Sequence, residues 1–216
     1  MLKNIEAVIF DLDGSLVDSM WLWKDIDIEY FAKFNKVLPD NLQAQIEGMS
    51  FSETAQYIKN HFDFPVSVEE MKSDWNAMAL YKYQHEVPLK PGINEFLTYC
   101  RENSIKLGIA TSNSRELVSE VIKAHNLEHY FDCIMTGCDV EKGKPSPDIY
   151  LAVAGELGIE PIHCLVFEDI IPGIIAGKNA GMKVCAVEDD YSKQQEKEKK
   201  ATADYYIKDY FEIFTK

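Results

Sequence analysis

The chain has 216 residues, 46% of them hydrophobic and 27% charged, with 11 Gly and 8 Pro, which excludes collagen-like, disordered and membrane classes and leaves enough apolar residues to bury a core. Thirty-six Asp and Glu against 22 Lys and Arg give a net charge of −14, which repels nucleic acid and anionic lipid at long range. The only arginines, Arg101 and Arg115, form no basic stripe.

Residues 1–6 run directly into a short apolar strand without a signal-length apolar segment, and no apolar run approaches the roughly 18 residues of a membrane span. A cytoplasmic chain without nucleic-acid or membrane partners is therefore expected. Glu6 to Phe10 is almost continuously apolar and ends in Asp11, as expected for a strand covered on both faces in a parallel sheet. From Val17 to Val87 the sequence is rich in aromatic and helix-forming residues and has no comparable β-branched run, so it reads as a helical insertion. Its entry is the polar turn Gly14 to Ser19 and its exit is Pro88-Leu89-Lys90-Pro91-Gly92, which stops helices and forms a stiff hinge.

Beyond the insertion, strands are predicted at Ile105 to Ala110, Asp132 to Met135, Cys164 to Phe167 and Val184 to Val187. Helices are predicted at Arg115 to His125, Ile149 to Leu157 and Ile174 to Ala180. Such alternation implies an α/β fold, a Rossmann-like doubly wound parallel sheet whose ligands gather beyond the carboxyl ends of the strands. The expected division is a catalytic core of residues 1–16 and 89–216 and a helical cap of residues 17–88. Lys193 to Lys200 reads as a solvated helix face, and Tyr205 to Phe214 as a last short strand and helix. The five cysteines, odd in number and without CxxC spacing, read mostly as buried free thiols.

Asp11-Leu12-Asp13-Gly14 sets two carboxylates two residues apart at the first strand's tip. Close anions raise each other's pKa unless a cation or donors hold them, so the pair suggests a metal site, with a capping and a turn aspartate as the structural alternative. A later strand delivers Glu168-Asp169 to the same edge. Another delivers Thr111-Ser112-Asn113-Ser114 at a helix start, where hydroxyls and free N–H groups suit a phosphate and equally cap the helix. Gly143-Lys144-Pro145-Ser146-Pro147-Asp148 is a rigid turn that presents one lysine.

In this order the four segments resemble the four motifs of the haloacid dehalogenase superfamily over almost the whole chain. With the insertion after the first motif, the chain is most similar to the phosphatase and β-phosphoglucomutase-like branch with a helical cap. The resemblance implies that Asp11 is the nucleophile, forming an aspartyl phosphate, and Asp13 the acid and base. It implies Mg²⁺ held by Asp11, Asp169 and the backbone carbonyl of Asp13, with Glu168 helping directly or through water. Lys144, Ser112 and the amides of Leu12 and Asn113 would bind the phosphoryl group, with Ser112 preferred to Thr111 for the hydroxyl contact.

Asp13 argues against carbon–halogen cleavage and against phosphonoacetaldehyde hydrolysis, since those family members lack the second acid. Trp23 stands about where mutases of the branch carry a histidine, and Phe51, in Gly48-Met49-Ser50-Phe51, about where they carry a phosphate-clamping arginine. Trp21, Trp23, Met49 and Phe51 are candidates to line a closed pocket, with residues 47–52, including Gly48, as the loop that meets the leaving group. The two tryptophans also read as the insertion's own core. The expected function is an Mg²⁺-dependent phosphatase of a small phosphorylated metabolite, a sugar phosphate or nucleotide-like monoester, acting as a monomer or weak homo-oligomer. A phosphosugar mutase and a non-catalytic binding protein on the same fold are the alternatives.

Overall fold

The computed structural model describes residues 1–214. Six strands, β1 (Ala7–Phe10), β2 (Lys106–Thr111), β3 (Cys133–Thr136), β4 (Cys164–Glu168), β5 (Lys183–Val187) and β6 (Tyr205–Ile207), form one parallel sheet in the order β3-β2-β1-β4-β5-β6. β1 is buried along its whole length, which its uninterrupted apolar sequence requires. Its side chains alternate between two cores. Val8 and Phe10 join one, where Phe10 stacks on Phe167 at 5.3 Å and Phe96 on Tyr210 at 5.5 Å, while Ala7 and Ile9 join Val166, Val153 and Ile174 on the other face.

The sheet is flanked by α5 (Ile93–Glu102), α6 (Arg115–Ala124), α7 (Asp148–Leu157), α8 (Ile171–Asn179) and α9 (Glu196–Thr202). α6 shows why these helices dock: Leu117, Val118, Val121 and Ile122 fall on one side and are buried. α8 begins three residues earlier than the apolar pattern suggested, because Pro172 is tolerated in a first turn where no intrahelical N–H is needed. Residues 193–200 are exposed or partly exposed except Lys199, which is buried, its ammonium donating to Ser192 Oγ at 2.6 Å and to the Val187 carbonyl at 3.3 Å. Four cysteines are buried and Cys138 is exposed.

Between β1 and α5 come α1 (Met20–Lys33), α2 (Leu42–Ile46), α3 (Phe51–Phe62) and α4 (Val68–His85). α3 and α4 both start with capping boxes, Ser50 with Glu53 and Ser67 with Glu70, which satisfy two orphan N–H groups each. Their core is aromatic: Phe64 stacks on Tyr30 at 5.5 Å and meets Phe31 edge-on at 5.1 Å. The chain enters and leaves the insertion side by side, with Asp18 N–H donating to the Pro88 carbonyl at 2.9 Å and Lys90 N–H to that of Leu16 at 3.0 Å. α4 packs on α6, which places the insertion over the carboxyl ends of the strands.

Candidate active site

β1 and β4 run in step, Phe10 opposite Phe167, so Asp11 and Glu168 leave the sheet side by side. Asp11, Glu168 and Asp169 are all buried, and each offers an oxygen within 4.8 Å of the others. Lys144 Nζ lies 2.5 Å from both Asp11 Oδ1 and Glu168 Oε1. With all three carboxylates ionised, the single ammonium leaves a deficit of about two positive charges in a buried cluster.

Burial, and after it the neighbouring carboxylates, push the Asp11 and Asp169 carboxyls up, Lys144 opposing this at Asp11; the two carboxylates hold Lys144 protonated. Asp169 Oδ1 accepts from Ser15 Oγ at 3.3 Å, whereas Oδ2 is buried with no hydrogen-bond partner. Glu168 is fully engaged: Oε1 accepts from Lys144 and, at 2.7 Å, from Tyr150, and Oε2 from the amides of Asp169 and Ile170 at 3.0 and 3.3 Å. An orphaned buried oxygen, an all-oxygen donor set and a deficit of two charges fit a divalent hard cation. Gly14 is required here. Its φ is +80°, and a Cβ would come within 2.2 Å of Asp169 Oδ2.

Asp13 turns away from this cluster. Its Oδ1 accepts from Ser19 Oγ at 2.5 Å and from the Tyr83 hydroxyl, and its Oδ2 from Asn113 Nδ2 at 3.0 Å. The Tyr83 oxygen in turn accepts from Trp23 Nε1 and from Asn113 Nδ2, each at 3.0 Å. Tyr83, fully buried on α4, is a residue that sequence reasoning missed. It continues the stripe Met71, Trp75, Ala79 at intervals of four, where it reads as core.

At the end of β2, Thr111 Oγ1 is buried and accepts the Asn113 N–H at 3.0 Å, so this hydroxyl and this amide serve the turn itself. Ser112 is half-buried and lines a cavity of about 160 Å³ together with Asp11, Asp13 and Lys144. Leu12 is buried, and its carbonyl accepts from the amides of Leu16 and Val17.

The insertion supplies the other wall, with Trp23, Gly48, Met49 and Phe51 all lining the cavity. Phe51 lies edge-on to Trp23 at 6.0 Å and to Trp75 at 5.5 Å, so it packs in the insertion and faces the cavity at once. Trp21 does not join them: it is 37% exposed, its Nε1 donating to the Asp18 carbonyl at 3.0 Å. Sequence reasoning also passed over Asp27 and Gln43, which share the lining with Glu47, the first residue of the loop expected to meet the leaving group. A carboxylate on the apolar stripe of α1 was the available signal for Asp27.

Strand order and the position of the cavity at the switch between β2, β1 and β4 define the class, a Rossmann-like α/β fold with its site at the strand tips. Its family follows from comparison: residues 8–187 match the family model described as Haloacid dehalogenase-like hydrolase, and the chain belongs to that family. It is 33% identical to the bifunctional riboflavin kinase/FMN phosphatase of Arabidopsis thaliana over 86% of its length, spanning about half (49%) of that protein. It is 31% identical to the phosphorylated carbohydrates phosphatase of Thermotoga maritima, covering 83% of each chain. The crystal structure of CbbY from Rhodobacter sphaeroides in complex with phosphate superposes with a TM-score of 0.86 at 25% identity, covering 97% of this chain and 96% of that one. The chain is accordingly an enzyme of the phosphoric monoester hydrolase class.

Proposed function

We propose that the protein is an Mg²⁺-dependent phosphatase of small phosphorylated metabolites that works through an aspartyl phosphate, with residues 17–88 as a cap over the catalytic core. The observation that carries this reading is the buried triangle of Asp11, Glu168 and Asp169 oxygens bridged by Lys144 at the tips of β1 and β4. Hydrolysis of hexitol phosphates or other phosphorylated carbohydrates is the chemistry in the names of two relatives and the substrate class this reading favours.

Asp11 attacks phosphorus through a carboxylate oxygen; the ester P–O bond breaks and the phosphoryl group passes to the enzyme as an acyl phosphate. Asp13 gives a proton to the departing alcohol oxygen. It then takes one from the water that attacks the acyl phosphate, and inorganic phosphate leaves with Asp11 restored. Lys144 and Ser112 hold the phosphoryl oxygens during both transfers, with the Leu12 and Asn113 amides as further donors once the Asn113 N–H gives up Thr111. Asp11, Asp169 and the Asp13 carbonyl would hold Mg²⁺, with Glu168 acting through water because both its oxygens are already hydrogen-bonded. The bound ion supplies neutralisation of the phosphoryl charge. A cap that closes keeps stray water from the reacting centre.

The test is phosphate release from a panel of phosphomonoesters with Mg²⁺, set beside Asp11→Asn and a chelated sample. We expect turnover in the wild type and a loss of about a hundredfold or more in both controls. Release that survives Asp11→Asn would remove the aspartyl-phosphate route.

A further inference from the structure

α1 buries five side chains, Leu22, Ile26, Asp27, Tyr30 and Phe31, and only Asp27 among them is charged. It is 7% exposed and lines the cavity that holds Asp11 and Ser112. Its Oδ2 accepts from Gln43 Nε2, and its Oδ1 has no protein donor among the described residues. Burial raises its carboxyl to about 7, with no basic group nearby to offset the cost. Glu47, in the same lining, is also raised by burial and is held at 2.9 Å by Gln195 Nε2, a neutral donor. Lys144 is the only cationic side chain lining the cavity among the described residues, and Asp11 and Glu168 already share it. Three aromatic side chains, Trp23, Phe51 and Trp75, form part of the remaining wall.

A wall with acceptors to spare and no free cation recognises donors and rejects a second anion. We propose that Asp27, oriented by Gln43, is the specificity-determining residue of the cavity, selecting phosphomonoesters whose leaving group carries O–H or N–H donors and no further phosphate or carboxylate. The inference rests on the phosphatase reading above. It sets the protein apart from a neighbour such as the CbbY variant crystallised with xylulose-(1,5)bisphosphate, whose ligand carries two phosphates. Hydroxyls of a polyol and the N–H groups of an amino alcohol offer the same chemistry, and the test separates them.

Specificity constants would be measured for hexitol 6-phosphate, phosphoethanolamine, p-nitrophenyl phosphate, 3-phosphoglycerate and fructose 1,6-bisphosphate, in the wild type and in Asp27→Asn and Asp27→Leu. The wild type should favour one donor-bearing monophosphate over both polyanionic substrates by at least about tenfold, the better of the first two compounds naming the donor type. Both variants should reduce the ratio of that substrate to p-nitrophenyl phosphate by about ten- to a hundredfold, mainly through KM. A ratio unchanged within twofold in both variants, or wild-type turnover of the bisphosphate equal to that of the monophosphates, would overturn the proposal and leave the phosphatase reading standing. Absence of phosphate release from every compound would overturn both.

Discussion

Asp13 is held by donors from three parts of the chain: Ser19 at the mouth of the insertion, Asn113 after β2 and Tyr83 on α4. The proposed acid–base step needs the carboxyl group free to exchange a proton with the leaving oxygen, so the Tyr83 contact positions Asp13 only while the insertion is seated. Tyr83→Phe removes one donor to Asp13 and leaves Trp23 Nε1 and one Asn113 bond without an acceptor, at a cost of about 1–3 kcal/mol in stability. For alkyl phosphates, whose leaving oxygen must be protonated, kcat should fall by roughly tenfold with KM little changed. For p-nitrophenyl phosphate, whose leaving group departs unprotonated, the fall in kcat should be much smaller. Equal losses on both esters would reduce Tyr83 to a packing residue. Nothing in the sequence marks this role, since Tyr83 lies 70 residues from Asp13 and its stripe on α4 is that of a core position.

At the scale of elements, the N-terminus of α3 fastens the insertion to the loops that carry Ser112 and Lys144. Phe51 N–H donates to the Ser112 carbonyl at 2.7 Å, and Glu53, while completing the capping box, accepts from Gly143 N–H at 3.4 Å. Gly48 makes this approach possible. Its φ is +85°, and a Cβ there would stand 2.7 Å from the Pro172 Cβ and 2.9 Å from the Lys144 carbonyl oxygen. In Gly48→Ala the loop must move from the Lys144 turn, so kcat/KM should fall by about tenfold or more while urea unfolding shifts by only about 1–2 kcal/mol. A variant with unaltered kinetics would show that the loop is not set by this contact.

The same elements separate what the sequence could tell from what it could not. Asp11, Asp13, Ser112, Lys144, Glu168 and Asp169 follow strand ends or stand in turns, so local pattern brings them to one edge of a parallel sheet. The pairings of Asp13 with Tyr83 and of Asp27 with Gln43 depend instead on how helices cross, which periodicity leaves open. The burial of Lys199 failed for a related reason: a single lysine folded back to Ser192 is hidden within a run of charges.

For the molecule as a whole, buried carboxylates set how stability responds to pH. Asp27 has its ordinary value near 3.8 when the chain is unfolded and about 7 when folded, so between these values the native state holds a proton that the unfolded state has lost. Stability therefore falls as pH rises through this window, and the whole contribution is present only below about pH 3.8. Conversion of the shift gives an upper bound of about 4 kcal/mol lost by pH 8. Asp27→Asn keeps the shape and the neighbouring Gln43 while removing the ionisation. In chelated buffer it should be more stable than the wild type at pH 8 by about 2–4 kcal/mol, and the difference should shrink toward zero near pH 4, as read from paired urea titrations at each pH. A constant difference across the range would mean that Asp27 does not titrate on unfolding. The predicted divergence would show a buried carboxyl group retained although its ionisation works against the fold, as expected where an acceptor is kept for a ligand and not for packing.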